Sequence, residues 1–164
     1  MISADKMQEI ADKVAIQEVL ARYSICVDTG DADGFAGLFT EDGVWEWKAV
    51  GLRLCGRQAI GDIARAVSTH AKGAQHAISN PVIAVEGNKA KSICQLTCFL
   101  SRPEQIYSLM LGYYEDEWLK VDDSWLISRR AVRVENPELL SHGKIAEYFA
   151  PLAEAMREMT QASG

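Results

Sequence analysis

Residues 75–100 read Gln75-His76-Ala77-Ile78-Ser79-Asn80-Pro81-Val82-Ile83-Ala84-Val85-Glu86-Gly87-Asn88-Lys89-Ala90-Lys91-Ser92-Ile93-Cys94-Gln95-Leu96-Thr97-Cys98-Phe99-Leu100. Gln75 to Val85 has the spacing of a strand, Glu86-Gly87-Asn88 is a hairpin turn, and Lys89 to about Leu100 returns. Pro81 cannot donate to a ladder, so it implies a sheet edge or a bulge. This hairpin sets the character of the whole second half of the chain.

Toward the C-terminus, Ser101 to Gln105 is a polar loop containing Pro103. Ile106 to about Val121 follows as a long strand, and Gly112 inside it suggests a bend or bulge. Asp122-Asp123-Ser124 turns the chain, and Trp125 to Val134 is the last strand. Asn136-Pro137 opens a helical segment to about Met159, which Gly143 and Pro151 should break or kink.

Toward the N-terminus the period changes. Residues 4 to 28 form a helix, with Ile16, Leu20, Tyr23 and Val27 at helical spacing and Ser3 or Asp5 as cap. Gly30 suits its C-terminal cap. A short helix follows from Asp31 or Ala32 to Phe39, and Glu41-Asp42-Gly43 is a turn signal. Val44-Trp45-Glu46-Trp47 alternates as a strand, and Gly51 to Gly56 is a hairpin return or a loop. Arg57 to about Thr69 is a third helix, with Ile60, Ile63, Ala64 and Val67 on one face. Helices first and hairpins later make an α+β domain, with helices on one face of a strongly curved antiparallel sheet. A bent sheet with a helix across its mouth encloses one pocket.

The 164 residues fit one domain, 1–164, with 136–164 as a C-terminal helical extension. The 48% apolar and 24% charged content is ordinary for a globular chain. A net charge of −6 lacks the basic footprint that nucleic acid calls for. No run of 18 apolar residues predicts a membrane span, and the first residues do not resemble a signal peptide, so the expected location is cytoplasmic. Cys26, Cys55, Cys94 and Cys98 form no metal-ligand pattern and are expected as reduced thiols in or near a core. Cys94 and Cys98 share parity on one strand.

Two residues stand out chemically. His76 shares strand parity with Ile78, so its side chain is either a hydrogen-bonded core imidazole or a base facing the interior. Asp28 ends a helix, where the dipole disfavours a carboxylate. It forms either an Asx turn with Gly30 or the partner of an imidazole. Such a partner fixes the tautomer, leaves the second nitrogen as a base and stabilises the imidazolium that forms. Arg129 and Arg130 are neighbours on a strand, so only one of them points inward, where it would meet an anionic substrate or leaving group. Tyr23 precedes Asp28 on the same helix and either fills the core or presents its phenol to the same space. Trp45, Trp47, Phe99, Met110 and Tyr114 are candidates to line the pocket.

Several ordered motifs resemble the SnoaL-like branch of the nuclear transport factor 2-like superfamily. They are residues 15–23, Val27-Asp28-Thr29-Gly30-Asp31, Leu38 to Gly43, His76-Ala77-Ile78-Ser79-Asn80, Gly112 to Asp116, and Trp125 to Arg130. The resemblance spans roughly residues 8 to 134. It implies a cone-shaped, cystatin-like α+β barrel that is often dimeric or trimeric. Scytalone dehydratase, bile acid 7α-dehydratase and hexachlorocyclohexane dehydrochlorinase carry an Asp and a His in these motifs and catalyse eliminations without a cofactor. The resemblance therefore implies a lyase with no cofactor and no metal, with His76 as base and Asp28 as its partner. Tyr23 and Arg130 would assist departure of the leaving group. The implied partner is a small hydrophobic, cyclic or polyketide- or steroid-like substrate, with neither nucleic acid nor membrane involved. An isomerase or aldol-type cyclase on the same dyad is the alternative, as is a non-catalytic binding protein or an accessory subunit of a ring-hydroxylating oxygenase.

Overall fold

The computed structural model describes residues 2–135 and 137–162. Helix α1 (Ala4–Thr29) starts where the Ser3 side chain accepts the Lys6 amide. It stops at Gly30, whose φ of 77° is the left-handed conformation that glycine adopts most readily. Ile16, Leu20, Tyr23 and Val27 recur at three or four residues and are its buried stripe. Buried Asp12 accepts the Trp125 indole N–H at 2.9 Å and the Lys120 ammonium at 3.0 Å. Those two bonds tie α1 to the last hairpin.

Helix α2 (Ala32–Ala36) is shorter than its apolar spacing suggests, because strand β1 (Phe39–Trp47) already begins at Phe39. Phe35, Leu38 and Phe39 are all buried, so spacing does not separate a helix end from a strand start. Glu41-Asp42-Gly43 is not a turn between elements. It lies inside β1, where the register against the last strand shifts between Phe39 and Val44. After a 3-10 turn at Lys48–Val50, β2 (Leu52–Cys55) returns antiparallel to β1. Helix α3 (Arg57–His70) buries Ile60, Ile63, Ala64 and Val67. Complete burial of an aliphatic side chain of this size contributes about 1.5–3 kcal/mol.

The remaining strands are β3 (Ala74–Glu86), β4 (Lys89–Ser101), β5 (Ile106–Val121) and β6 (Ser124–Val134). The six-stranded sheet has the order β2-β1-β6-β5-β4-β3. Hairpins make every neighbour antiparallel except β1 and β6, which run parallel. The sheet is therefore mixed, not purely antiparallel. The chain reaches β1 from helices, and no hairpin dictates its direction beside β6. Asp122 and Asp123, both at positive φ, make the two-residue turn between β5 and β6.

Pro81 marks both an edge strand and a bulge. β3 has β4 as its single neighbour, and the register shifts between Ser79 and Val82, with Asn80 at φ 52°. Gly112 itself pairs in register with Val134. The bulge lies just before it, at Leu109, which is skipped between the pairs Cys98–Met110 and Phe99–Ser108. What glycine provides is close approach, since a Cβ at position 112 would sit 2.0 Å from the Arg133 carbonyl oxygen.

Pro137–Ser141 is a 3-10 turn and Gly143–Ala162 is α4. Asn136, expected to open this segment, lies outside the described residues. Gly143 starts α4, and Pro151 sits within its continuous span without ending it. Phe149, Leu152 and Met156 are buried, and this packing outweighs the local preference. α4 lies against α3 and β2. Among the described residues no helix is long and apolar enough to cross a membrane.

Candidate active site

Asp28 occupies the last turn of α1, and α1 packs across β3. Its carboxylate grips His76 twice. Oδ1 lies 2.6 Å from Nδ1 of the ring, and Oδ2 accepts the His76 backbone N–H at 2.9 Å. That amide belongs to an edge strand and points away from β4, so it is free to reach the helix. The two bonds supply the local reason for a carboxylate at an unfavourable helix end. They also fix the imidazole so that Nδ1 faces the carboxylate and the second nitrogen, Nε2, is the one left for chemistry.

The His76 side chain is only 9% exposed. Burial by itself pushes the imidazole down. The Asp28 carboxylate and the neighbouring Cys98 more than offset this and raise it to about 10.

His76 lies on the wall of an apolar cavity with room of about 30 Å³ for the centres of water molecules. That is enough for a water or two. α1 contributes Tyr23 and Val27, and β1 contributes Trp45 and Trp47. Ile63, Val67, Ala71 and Ala74 come from α3 and the start of β3. Leu96, Cys98, Leu109, Met110, Tyr114 and Val132 come from the inner face of the sheet. Phe149, Leu152 and Met156 of α4 complete the wall.

Most of the expected lining residues meet here, and two expectations need correction. Phe99 does not reach the cavity. It is 38% exposed on the outer face, because β4 alternates and turns Cys98 and Leu100 inward. Arg130 is inward and Arg129 outward, but Arg130 does not touch the cavity either. Its guanidinium is fully buried and donates to both oxygens of Asp116, at 2.7 and 2.8 Å. It is stacked between the rings of Tyr23 and Tyr114, with centroids 4.0 and 4.1 Å away. Burial works against its charge, and Asp116 outweighs that. Arg130 thus supports the two tyrosines from behind. Arg129 pairs with Glu46 and Glu117.

Three polar groups in or near the cavity differ in what they have left to offer. The Tyr23 hydroxyl accepts the Trp45 indole N–H at 3.0 Å and also meets the Tyr114 phenol, and it retains an O–H that can donate. Burial drives the Tyr114 phenol well above its usual range. The Trp47 indole N–H is buried with no hydrogen-bond partner among the described residues. His70 and His142 are exposed, away from this site.

Cys98 and the α4 residues are the parts of the site that sequence reasoning missed. Cys98 pairs directly with His76 across β3 and β4. Counting back from the turn, where Glu86 pairs with Lys89, would set His76 opposite Phe99. The extra residue at Asn80-Pro81 moves the partner to Cys98.

The SnoaL-like domain model matches residues 8–131. Uncharacterized protein Rv2910c of Mycobacterium tuberculosis is 28% identical over 131 residues, covering 74% of this chain and 84% of its own. The solved structure of Rv3472, a protein of unknown function from Mycobacterium tuberculosis, superposes with a TM-score of 0.86 at 27% identity. That match covers 96% of this chain and 95% of Rv3472. A candidate scytalone dehydratase from Novosphingobium aromaticivorans superposes with a TM-score of 0.67 at 25% identity, covering 77% of this chain and 85% of its own.

Proposed function

We propose that this chain, which belongs to the SnoaL-like domain family, is a dehydratase-like lyase acting on a small hydrophobic, cyclic or polyketide- or steroid-like substrate. The observation that carries the proposal is the 2.6 Å contact between Asp28 and Nδ1 of His76, with the imidazole on the wall of an apolar cavity. Likeness to a candidate scytalone dehydratase supports the same reaction class.

In this reading the neutral form of His76, whose share grows as pH rises toward 10, removes a proton through Nε2 from the carbon next to a carbonyl. Asp28 stabilises the imidazolium that results. The electron pair left on carbon forms the new double bond as the β-hydroxyl departs. The Tyr23 O–H donates to the departing oxygen, and His76 returns its proton so that water leaves. The unpartnered Trp47 N–H is the donor for the carbonyl oxygen. Arg130 acts as a positioning residue through Tyr23 and Tyr114. A cyclic substrate is larger than the present cavity, so its binding displaces Phe149, Leu152 and Met156 of α4.

The test is an elimination assay over cyclic β-hydroxy ketones. His76→Ala and Asp28→Asn should each lower kcat by about 10²–10⁴, the usual weight of a general base. Full activity in both variants would sink the mechanism. A product of unchanged mass would replace the lyase by an isomerase using the same base.

A further inference from the structure

The proposed elimination uses His76 and Asp28 and leaves Cys98 without a role. Cys98 is 1% exposed, faces the cavity, and pairs with His76 across the two strands. The pair is of the non-hydrogen-bonded kind, because the His76 N–H points away from β4 to Asp28. In such pairs the Cα atoms are about 4.5 Å apart and the side chains come closest. The Cys98 thiol lies 3.9 Å from the Phe99 carbonyl oxygen, much as the Cys94 thiol meets a carbonyl, but unlike Cys94 it also interacts with the His76 side chain. The cavity wall therefore brings together a thiol, an imidazole and a carboxylate, the arrangement that activates a nucleophile.

Cys94 provides an internal contrast. It shares strand, parity and burial with Cys98, yet it contributes nothing to the cavity. Its thiol faces the Tyr114 carbonyl oxygen at 4.0 Å, and burial pushes it up to about 11. Cys26 lies beside Asp31, and Cys55 is exposed.

We propose that Cys98 is a nucleophile served by His76 and Asp28, and that the cavity takes conjugated carbonyl compounds, which add covalently to its sulfur. In the neutral form of His76 the thiol proton moves to Nε2 as sulfur bonds to the β-carbon. The π pair of the C=C bond shifts toward the carbonyl oxygen. The imidazolium then returns the proton to the α-carbon, so thiol and acceptor combine with nothing left over. The reverse sequence releases the acceptor. The inference rests on the dyad of the proposed lyase site but not on the elimination itself.

Acrylamide, a small conjugated amide, is the probe, and peptide mass spectrometry reads the labelling rate at each cysteine of the intact protein. Cys98 should label at least about tenfold faster than Cys94, as expected of a thiol beside a histidine compared with an inert buried one. His76→Gln should cut the Cys98 rate by about tenfold or more while Cys94 stays protected, which shows that the fold holds. If His76→Gln exposes Cys94, Asp28→Asn carries the same comparison. Wild-type Cys98 labelling no faster than Cys94 overturns the inference. So does a Cys98 rate unmoved by the substitution in a folded variant. A chain that eliminates nothing yet labels at Cys98 keeps this inference and loses the lyase. The opposite result loses this inference and keeps the lyase.

Discussion

Asp28 holds His76 by ring and backbone at once, and this has a pH signature. The contacts of His76 raise its imidazole above the ordinary value of 6.5, to about 10. Folding therefore favours the protonated form. The stabilisation is fully present below pH 6.5 and is lost as pH rises through the folded value. Denaturant titrations between pH 6 and pH 10 should show stability falling across that window, and Asp28→Asn should flatten the fall. A fall of equal size in the variant would mean that the pair is not its source. Both residues were legible in the sequence, Asp28 from its awkward helix end and His76 from its strand parity. The thiol opposite was not. Strand parity set Cys94 and Cys98 on one face but could not say which face was inner, and the register that brings His76 to Cys98 depends on a bulge. Strand parity showed that only one of Arg129 and Arg130 points inward but not which, and the engagement of Arg130 by Asp116 arises from the pairing of β5 with β6.

The elements repeat the lesson. α1, α3 and the three consecutive hairpin strands β4, β5 and β6 follow from periodicity and turn residues. Only the second half of β1, Val44 to Trp47, does so; its start at Phe39 and its parallel place beside β6 do not, and Glu41-Asp42-Gly43 reads as a turn when it is a bulge. Gly112 was recognised as a sheet-bending glycine, and the structure relocates the reason. β5 and β6 approach so closely there that a methyl group would meet the Arg133 carbonyl oxygen at 2.0 Å. Rigid backbone cannot give way as a flexible side chain can. Gly112→Ala should cost about 2–4 kcal/mol of stability, measured by urea unfolding. A cost below about 0.5 kcal/mol would mean that the two strands separate without penalty there.

Across the whole molecule, α4 is the wall that separates the apolar cavity beside His76 from an outer groove. Phe149 and Met156 belong to both spaces, and Phe149 packs its ring on Trp47 at 5.9 Å. Phe149→Ala should cost about 3–5 kcal/mol by leaving a cavity. It should also raise the acrylamide labelling rate of Cys98 without exposing Cys94. Unchanged labelling would show that small molecules reach the cavity by another route. The grip of Asp28 on β3 has a meaning at this scale too. An edge strand offers its outward amides to any passing chain, and addition of a foreign strand there is how sheet proteins aggregate. Asp28 occupies one of those amides from a helix laid across the edge. The carboxylate that holds the His76 ring thus also denies a template to neighbouring molecules, so one pair of oxygens both fixes the imidazole and guards the sheet edge.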